Sequence, residues 1–437
     1  MKRTSMVRAA LSALLAGALL LTTAPAAGAG QEATERDGAG LQRVAYFIQW
    51  GIYARAYLVR NVADSGQAAR LSTINYAFAG VSQTGACTSL DTWADFQRPF
   101  AAAESVDGVA DAPGQALLGN FNQLRKLKQR FPHLRVVMSL GGFTGSTFFS
   151  DVALTPASRQ RFVASCVDMF LAGNLPGAAP GAAAGVFDGI DIDWEWPATA
   201  AAPGARARPE DRANFTLLVR EFRRQLAALG GQTNRHLVLT AFLPADPVKI
   251  AAGFEVPAIF RSLDWATVQG YDLHGTWERT TNFQSALFSP RGDPSPEKFS
   301  IDLAVQTYLR NDAPARKLVL GVPFYSRGWT GVTNANHGLF QMSTGPAPAT
   351  FEAGIEDFKV VAAKPGFTVF RDRPDGAAWL FDGSTFWTFD DPVALSEKMA
   401  YVTAHRLGGA MAWSLDADDA HASLVRAIDA GLRSAGE

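Results

Sequence analysis

Eight short apolar runs, spread between residues 44 and 414, set the tightest limit on what this chain can become. They span 44–50, 74–79, 135–142, 187–197, 237–243, 265–272, 317–324 and 408–414. Each is of strand length and rich in β-branched or aromatic residues. Stripes of helical period lie between several of them. Leu124, Leu127 and Phe131 share one face before Pro132, which stops that helix. Phe215, Leu218, Val219, Phe222 and Leu226 form a longer stripe, and Ile301, Val305, Tyr308 and Leu309 another. Strands that read as continuous apolar runs are buried on both faces, and helices must supply the cover. The expected fold is α/β: a TIM (β/α)8 barrel, with eight parallel strands closed on themselves and helices outside. Ser139, Glu195, Asp272 and Trp413 fall late in their runs, at the end where such barrels carry their sites.

The fourth run is acidic. Asp188, Asp191, Asp193 and Glu195 stand in one short stretch, with Ile190, Ile192 and Trp194 between the later acids. Period-two alternation puts Asp191, Asp193 and Glu195 on one face of a strand and the apolar residues on the other. Same-face side chains then sit roughly 6.5–7 Å apart. Carboxyls stacked so closely repel one another, so at least one keeps its proton near neutral pH, as a general acid requires. A calcium loop would need Gly at its sixth position and Glu at its twelfth, and neither is present. A solvated edge would not carry two isoleucines and a tryptophan behind the acids. Asp188 has the opposite parity and reads as structural.

Charge narrows the choice of partner. The 40 basic and 41 acidic residues nearly cancel. Lys2, Arg3 and Arg8, an uncharged stretch over 9–21 and the small residues Ala27-Gly28-Ala29 form a secretory signal pattern over residues 1–29. A second cleavage pattern stands at Ala24-Pro25-Ala26. Removing that leader takes three basic residues and no acid, leaving a slightly acidic secreted chain. That is no footprint for nucleic acid or an anionic membrane, and a neutral polymer is the natural partner. The expected product is an extracellular monomer with one barrel domain over 30–437. The stretch between Pro323 and Gly408 is too long for one loop and one helix, which marks 328–382 as a small inserted α+β subdomain between strands seven and eight. The six histidines show no ligand spacing and no Gly-rich nucleotide fingerprint follows a strand, so neither metal nor cofactor is expected. Cys87 and Cys166 either pair, as secretion permits, or leave a free buried thiol at Cys166.

The acidic run resembles the DxxDxDxE signature of glycoside hydrolase family 18, the chitinase family, matched at Asp188, Asp191, Asp193 and Glu195. The likeness extends along nearly the whole chain after residue 29. Ser139-Leu140-Gly141-Gly142 is similar to the family's SxGG, and Gln269-Gly270-Tyr271-Asp272 to its MxYD, with Gln269 for Met. Phe324-Tyr325-Ser326-Arg327-Gly328-Trp329 resembles FYGRGW, and Trp413 the tryptophan of strand eight. Residues 350–359 look like the insertion of the deep-cleft subfamily, and 120–127 like streptomycete-type chitinases. Phe143 and Trp196 depart from the Trp and Tyr usual at those positions.

The resemblance implies hydrolysis of chitin or N-acetylglucosamine oligosaccharides with retention. Family members are exceptions to the two-carboxylate rule and use the substrate's own amide as nucleophile. Glu195 would be the acid and then the base, Asp193 the acceptor for the acetamido N–H, and Asp191 its proton-sharing neighbour. Tyr271 would donate to the acetamido oxygen and Trp413 would floor the sugar. Tyr46 and Ser139 would bond the inner acids. Gly141, Gly142, Phe143, Trp196, Gln269 and Asp272 complete the expected substrate-binding set, and Trp93, Tyr325, Arg327 and Trp277 are further subsite candidates. His274 reads equally as cleft-lining or as a surface histidine, and Phe78 as core. Two other functions fit the motif: an endo-β-N-acetylglucosaminidase acting on N-glycans, and a chitin-binding lectin. The lectin is disfavoured because such proteins lose the acid.

Overall fold

The computed structural model describes residues 40–199 and 204–433. The expected signal peptide at 1–29 lies outside the described residues. Eight parallel strands form the centre: β1 Gln42–Ile48, β2 Thr73–Val81, β3 Arg135–Gly141, β4 Gly189–Asp193, β5 Val238–Leu243, β6 Trp265–Val268, β7 Leu318–Pro323 and β8 Gly409–Trp413. Each pairs with its sequence neighbours, and β1 pairs with both β2 and β8, so the sheet closes into a barrel. Closure leaves no unpaired edge among these strands. A short strand, Cys87–Ser89, runs antiparallel beside the end of β2.

Helices follow the strands: α1 Val59–Asp64, α2 Gly119–Arg130, α3 Pro156–Cys166, α4 Asp211–Thr233, α5 Pro247–Gly253, α6 Ile301–Arg310, α7 Pro392–Ala404 and α8 Ser423–Arg433. Local chemistry sets their starts. Thr155 and Ser158 form a capping box for α3, and Asp391 accepts the Val393 and Ala394 N–H groups ahead of Pro392 at the head of α7. The stripe Phe215, Leu218, Val219, Phe222, Leu226 lies on the buried face of α4. Cys87 and Cys166 are bonded, with Cα atoms 5.0 Å apart, which ties the short strand to the end of α3.

Between β7 and β8 the chain builds a second, antiparallel sheet. Its order is Gly345–Pro346, Tyr325–Thr330, Phe386–Phe389, Ala377–Phe381, Thr368–Asp372, and Ile355–Asp357 also pairs with Tyr325–Thr330. The sheet thus spans more chain than 328–382. Its first strand leaves β7 after one residue, with no turn to mark the boundary in the sequence. Trp329, Trp379, Phe381 and Phe386 form a small core of its own. Arg55, in the loop after β1, anchors it: one guanidinium nitrogen lies 2.8 Å from Asp357 in the sheet and 2.9 Å from Asp416 beyond β8.

Candidate active site

The acids stand at the C-terminal end of β4. The strand itself ends at Asp193, so Glu195 lies two residues past the ladder. Asp191 points into the barrel, where three hydroxyls donate to it: Tyr46 at 2.7 Å and Ser139 at 2.8 Å to Oδ2, and Thr240 at 2.6 Å to Oδ1. Register explains two of these, because Ser139 on β3 and Thr240 on β5 are the lateral partners of Asp191. Burial pushes the Asp191 carboxyl upward, and the three donors oppose that shift.

Asp193 is buried and hydrogen-bonds Glu195 through their side chains. Burial first, and then the charges of Glu195 and Asp191, hold its carboxyl well above the usual range. Among the described residues its buried Oδ1 has no hydrogen-bond partner. Glu195 stays partly exposed. Burial and the nearby charge of Asp272 push its carboxyl up to about 7, against the hydrogen bond to Asp193 and the charge of Lys249, which lower it.

A loop serine braces this segment. Ser146 Oγ donates to the Gly142 carbonyl at 2.9 Å and to the Asp193 carbonyl at 3.2 Å, and accepts the Glu195 N–H at 2.9 Å. The Gly141-Gly142 pair lets the chain pass. A Cβ on Gly141 would lie 2.3 Å from the Asp193 carbonyl oxygen, and one on Gly142 would lie 2.6 Å from the Phe78 ring.

Aromatic rings line one side. Trp413, half-buried at the end of β8, stacks on Phe78 with centroids 5.6 Å apart and lies 5.0 Å from Tyr46. Trp50 extends the group, 6.2 Å from Phe78. On the other side Tyr271 is buried against Phe242 and Tyr325. Asp272 accepts from the Tyr325 hydroxyl at 2.6 Å and the Arg327 Nε at 2.9 Å, so both subsite candidates from the inserted sheet converge on one acid. Arg327 also lies over the Trp277 ring at 5.1 Å.

The other expected residues differ in exposure. Trp93, Phe143 and Trp277 are about half exposed, and Gln269 is partly exposed. Trp196 is only 3% exposed and stacks on Phe242. His274 is buried, with Nδ1 3.0 Å from Glu278, so it is not a surface residue. Asp188 lies at the opposite end of β4, held by Lys128, Arg235 and the Val136 N–H. Among the described residues no group of three or more His, Cys, Asp or Glu could hold a metal ion. Thr240 and Ser146 escaped the sequence reading, whereas Phe78, read as core, is buried at 8% exposure. Only Thr240 left a trace, as the polar residue of an apolar strand.

The sequence profile described as glycosyl hydrolases family 18 matches residues 42–418. The chain belongs to this family. Chitinase 63 of Streptomyces plicatus is 36% identical over 423 residues, covering 95% of this chain and 64% of that one. Chitinase C of Streptomyces lividans is 36% identical over 411 residues, covering 91% and 62%. This family 18 chain therefore spans less than two thirds of the length of these curated relatives. The catalytic domain of psychrophilic chitinase B from Arthrobacter TAD20 superposes with a TM-score of 0.87 at 42% identity, covering 90% of this chain and 96% of that one.

Proposed function

We propose that this chain is a secreted chitinase that hydrolyses β-1,4-linked N-acetylglucosamine polymers with retention, using the substrate's acetamido group as nucleophile. The observation that carries the reading is the Asp193–Glu195 pair: a partly exposed acid that keeps its proton to about pH 7, hydrogen-bonded to a buried carboxyl with an oxygen left unpartnered. Family membership and the names of the relatives support the substrate class.

In this reading Glu195 gives its proton to the glycosidic oxygen as the C1–O bond breaks. The acetamido carbonyl oxygen bonds to C1 and forms an oxazolinium ion. Asp193 Oδ1 accepts the acetamido N–H and stabilises the charge that develops there. Tyr271 donates to the acetamido oxygen, and Trp413 floors the sugar. Water then attacks C1 as the bond from C1 to the acetamido oxygen breaks, and gives a proton to Glu195; this restores the acetamido group and the acid, and the two displacements retain the configuration. Asp193 comes from the same strand end as Glu195 and cannot face it across the scissile bond, and the other nearby carboxylates are held. Asp191 is tied by three hydroxyls, and Asp272 by Tyr325 and Arg327. The Cys87–Cys166 bond supports export, since disulfides persist in oxidising compartments.

The test is product analysis on N-acetylglucosamine hexamer, with proton NMR following the first anomer released. Chitooligosaccharides released as the β-anomer are expected. Cleavage of an N-glycan core without cleavage of the hexamer would replace the reading with an endo-β-N-acetylglucosaminidase. Binding without cleavage of either would replace it with a lectin.

A further inference from the structure

We infer that Thr240 is a positioning residue of this site: its hydroxyl holds the negative charge on Asp191, and in the substrate-free chain that charge keeps the proton of the inner acid pair on Asp193. The inference rests on the hydrolytic reading above and adds a residue which that reading does not use.

Asp191 is gripped from three strands. Tyr46 and Ser139 share Oδ2, whereas among the described residues Oδ1 receives a side-chain hydrogen bond from Thr240 alone. Thr240 is 1% exposed, so bulk water cannot replace a lost hydroxyl. Removing that donor would leave a buried carboxylate oxygen unpaired, which disfavours the charged form of Asp191.

The consequence runs along β4. The titratable groups facing Asp191 are Tyr46 from β1 and Asp193 on its own strand, with Glu195 and Tyr271 beyond. Tyr46 is fully buried and donates its proton in a hydrogen bond, so it stays neutral. With Tyr46 neutral, the charge of Asp191 acts on Asp193, the carboxyl that in turn touches Glu195. Three hydroxyl donors around Asp191, set against an unpartnered Oδ1 on Asp193, place the charge on Asp191 and the proton on Asp193. Thr240 is the donor on which the charge of Oδ1 depends.

Two substitutions separate this role from packing. Thr240→Val keeps the shape and removes the hydroxyl, and Thr240→Ser keeps the hydroxyl and removes a methyl. The first measurement is the titration of buried carboxyls in pH-difference infrared spectra of the substrate-free chain, with Asp191→Asn assigning the band. In T240V the midpoint is expected to rise by about one pH unit, while T240S titrates like wild type. The second measurement is the pH profile of hexamer hydrolysis. T240V should shift the acidic limb of kcat/KM upward and lower kcat roughly tenfold or more, with KM within about twofold, and T240S should restore both. An unshifted T240V titration, or a T240S titration shifted as far as that of T240V, overturns the inference. A wild-type chain that cuts no hexamer but shows the Thr240-dependent titration sinks the hydrolase reading and supports the charge-holding role. If T240V fails to fold by near-ultraviolet circular dichroism, Thr240→Ala, which only removes atoms, takes its place under the same outcomes.

Discussion

Glu195 and Asp193 share a strand end but not an environment. Glu195 keeps an open side toward solvent, whereas Asp193 is closed in and touched by two other acids. Glu195→Gln preserves shape and cannot give up a proton. It should lower kcat by about 10²–10⁴-fold while oligosaccharide binding, measured by calorimetry, survives. A variant that kept most of its kcat would remove Glu195 from the acid's role. The pH profile follows from the same carboxyl. Its folded value is raised to about 7, so the proton is present below that pH and is lost as pH rises through it. Since the first step consumes the proton, kcat/KM should fall along an alkaline limb centred near pH 7, and a limb centred near the ordinary glutamate value would contradict this assignment.

Two elements hang on connections that can be cut singly. The disulfide fixes the short strand Cys87–Ser89 against α3 across a sequence separation of 79. Replacing both cysteines by serine should cost about 2–5 kcal/mol in urea unfolding, and a loss below about 1 kcal/mol would show that the strand is held by its other contacts. The inserted sheet is anchored by Arg55, which faces two nearly buried carboxylates. Arg55→Ala leaves Asp357 and Asp416 close together, although Lys359 still reaches Asp357 at 3.3 Å. Asp416 accepts the hydroxyl of Ser414, the residue after Trp413, so the disturbance also reaches the end of β8. If the sheet walls the cleft, R55A should impair hexamer hydrolysis roughly tenfold more than hydrolysis of a disaccharide reporter. Equal losses on both substrates would assign Arg55 to stability alone.

For the molecule as a whole, the proposed mechanism needs a substrate that brings its own nucleophile. A thiazoline analogue of N-acetylglucosamine oligomers should inhibit, because it mimics the cyclised intermediate. Fully deacetylated chitosan should not be cut, and efficient chitosan hydrolysis, or an Asp193 adduct trapped by a fluorosugar, would refute substrate assistance. The barrel was legible in the sequence because period and apolar runs carry its strands, and parity alone sorted Asp188 from Asp191, Asp193 and Glu195. What parity cannot carry is register. Thr240 meets Asp191 only through the offset of β5 against β4, and Ser146 reaches Glu195 only through the path of a loop. Phe78 is buried as read, but a strand aromatic gives no sign of which ring it will stack on, here Trp413. Trp196 sits in an acid-rich motif, yet its indole packs inward on Phe242. Tyr46 and Trp413 come from the first and last strands of the barrel and lie 5.0 Å apart because β8 docks on β1. During synthesis Asp191, Asp193 and Glu195 are made long before Trp413. A nascent chain, or one clipped ahead of β8, has its acids but lacks the ring proposed to floor the sugar, so the proposed site is complete only when the last strand arrives.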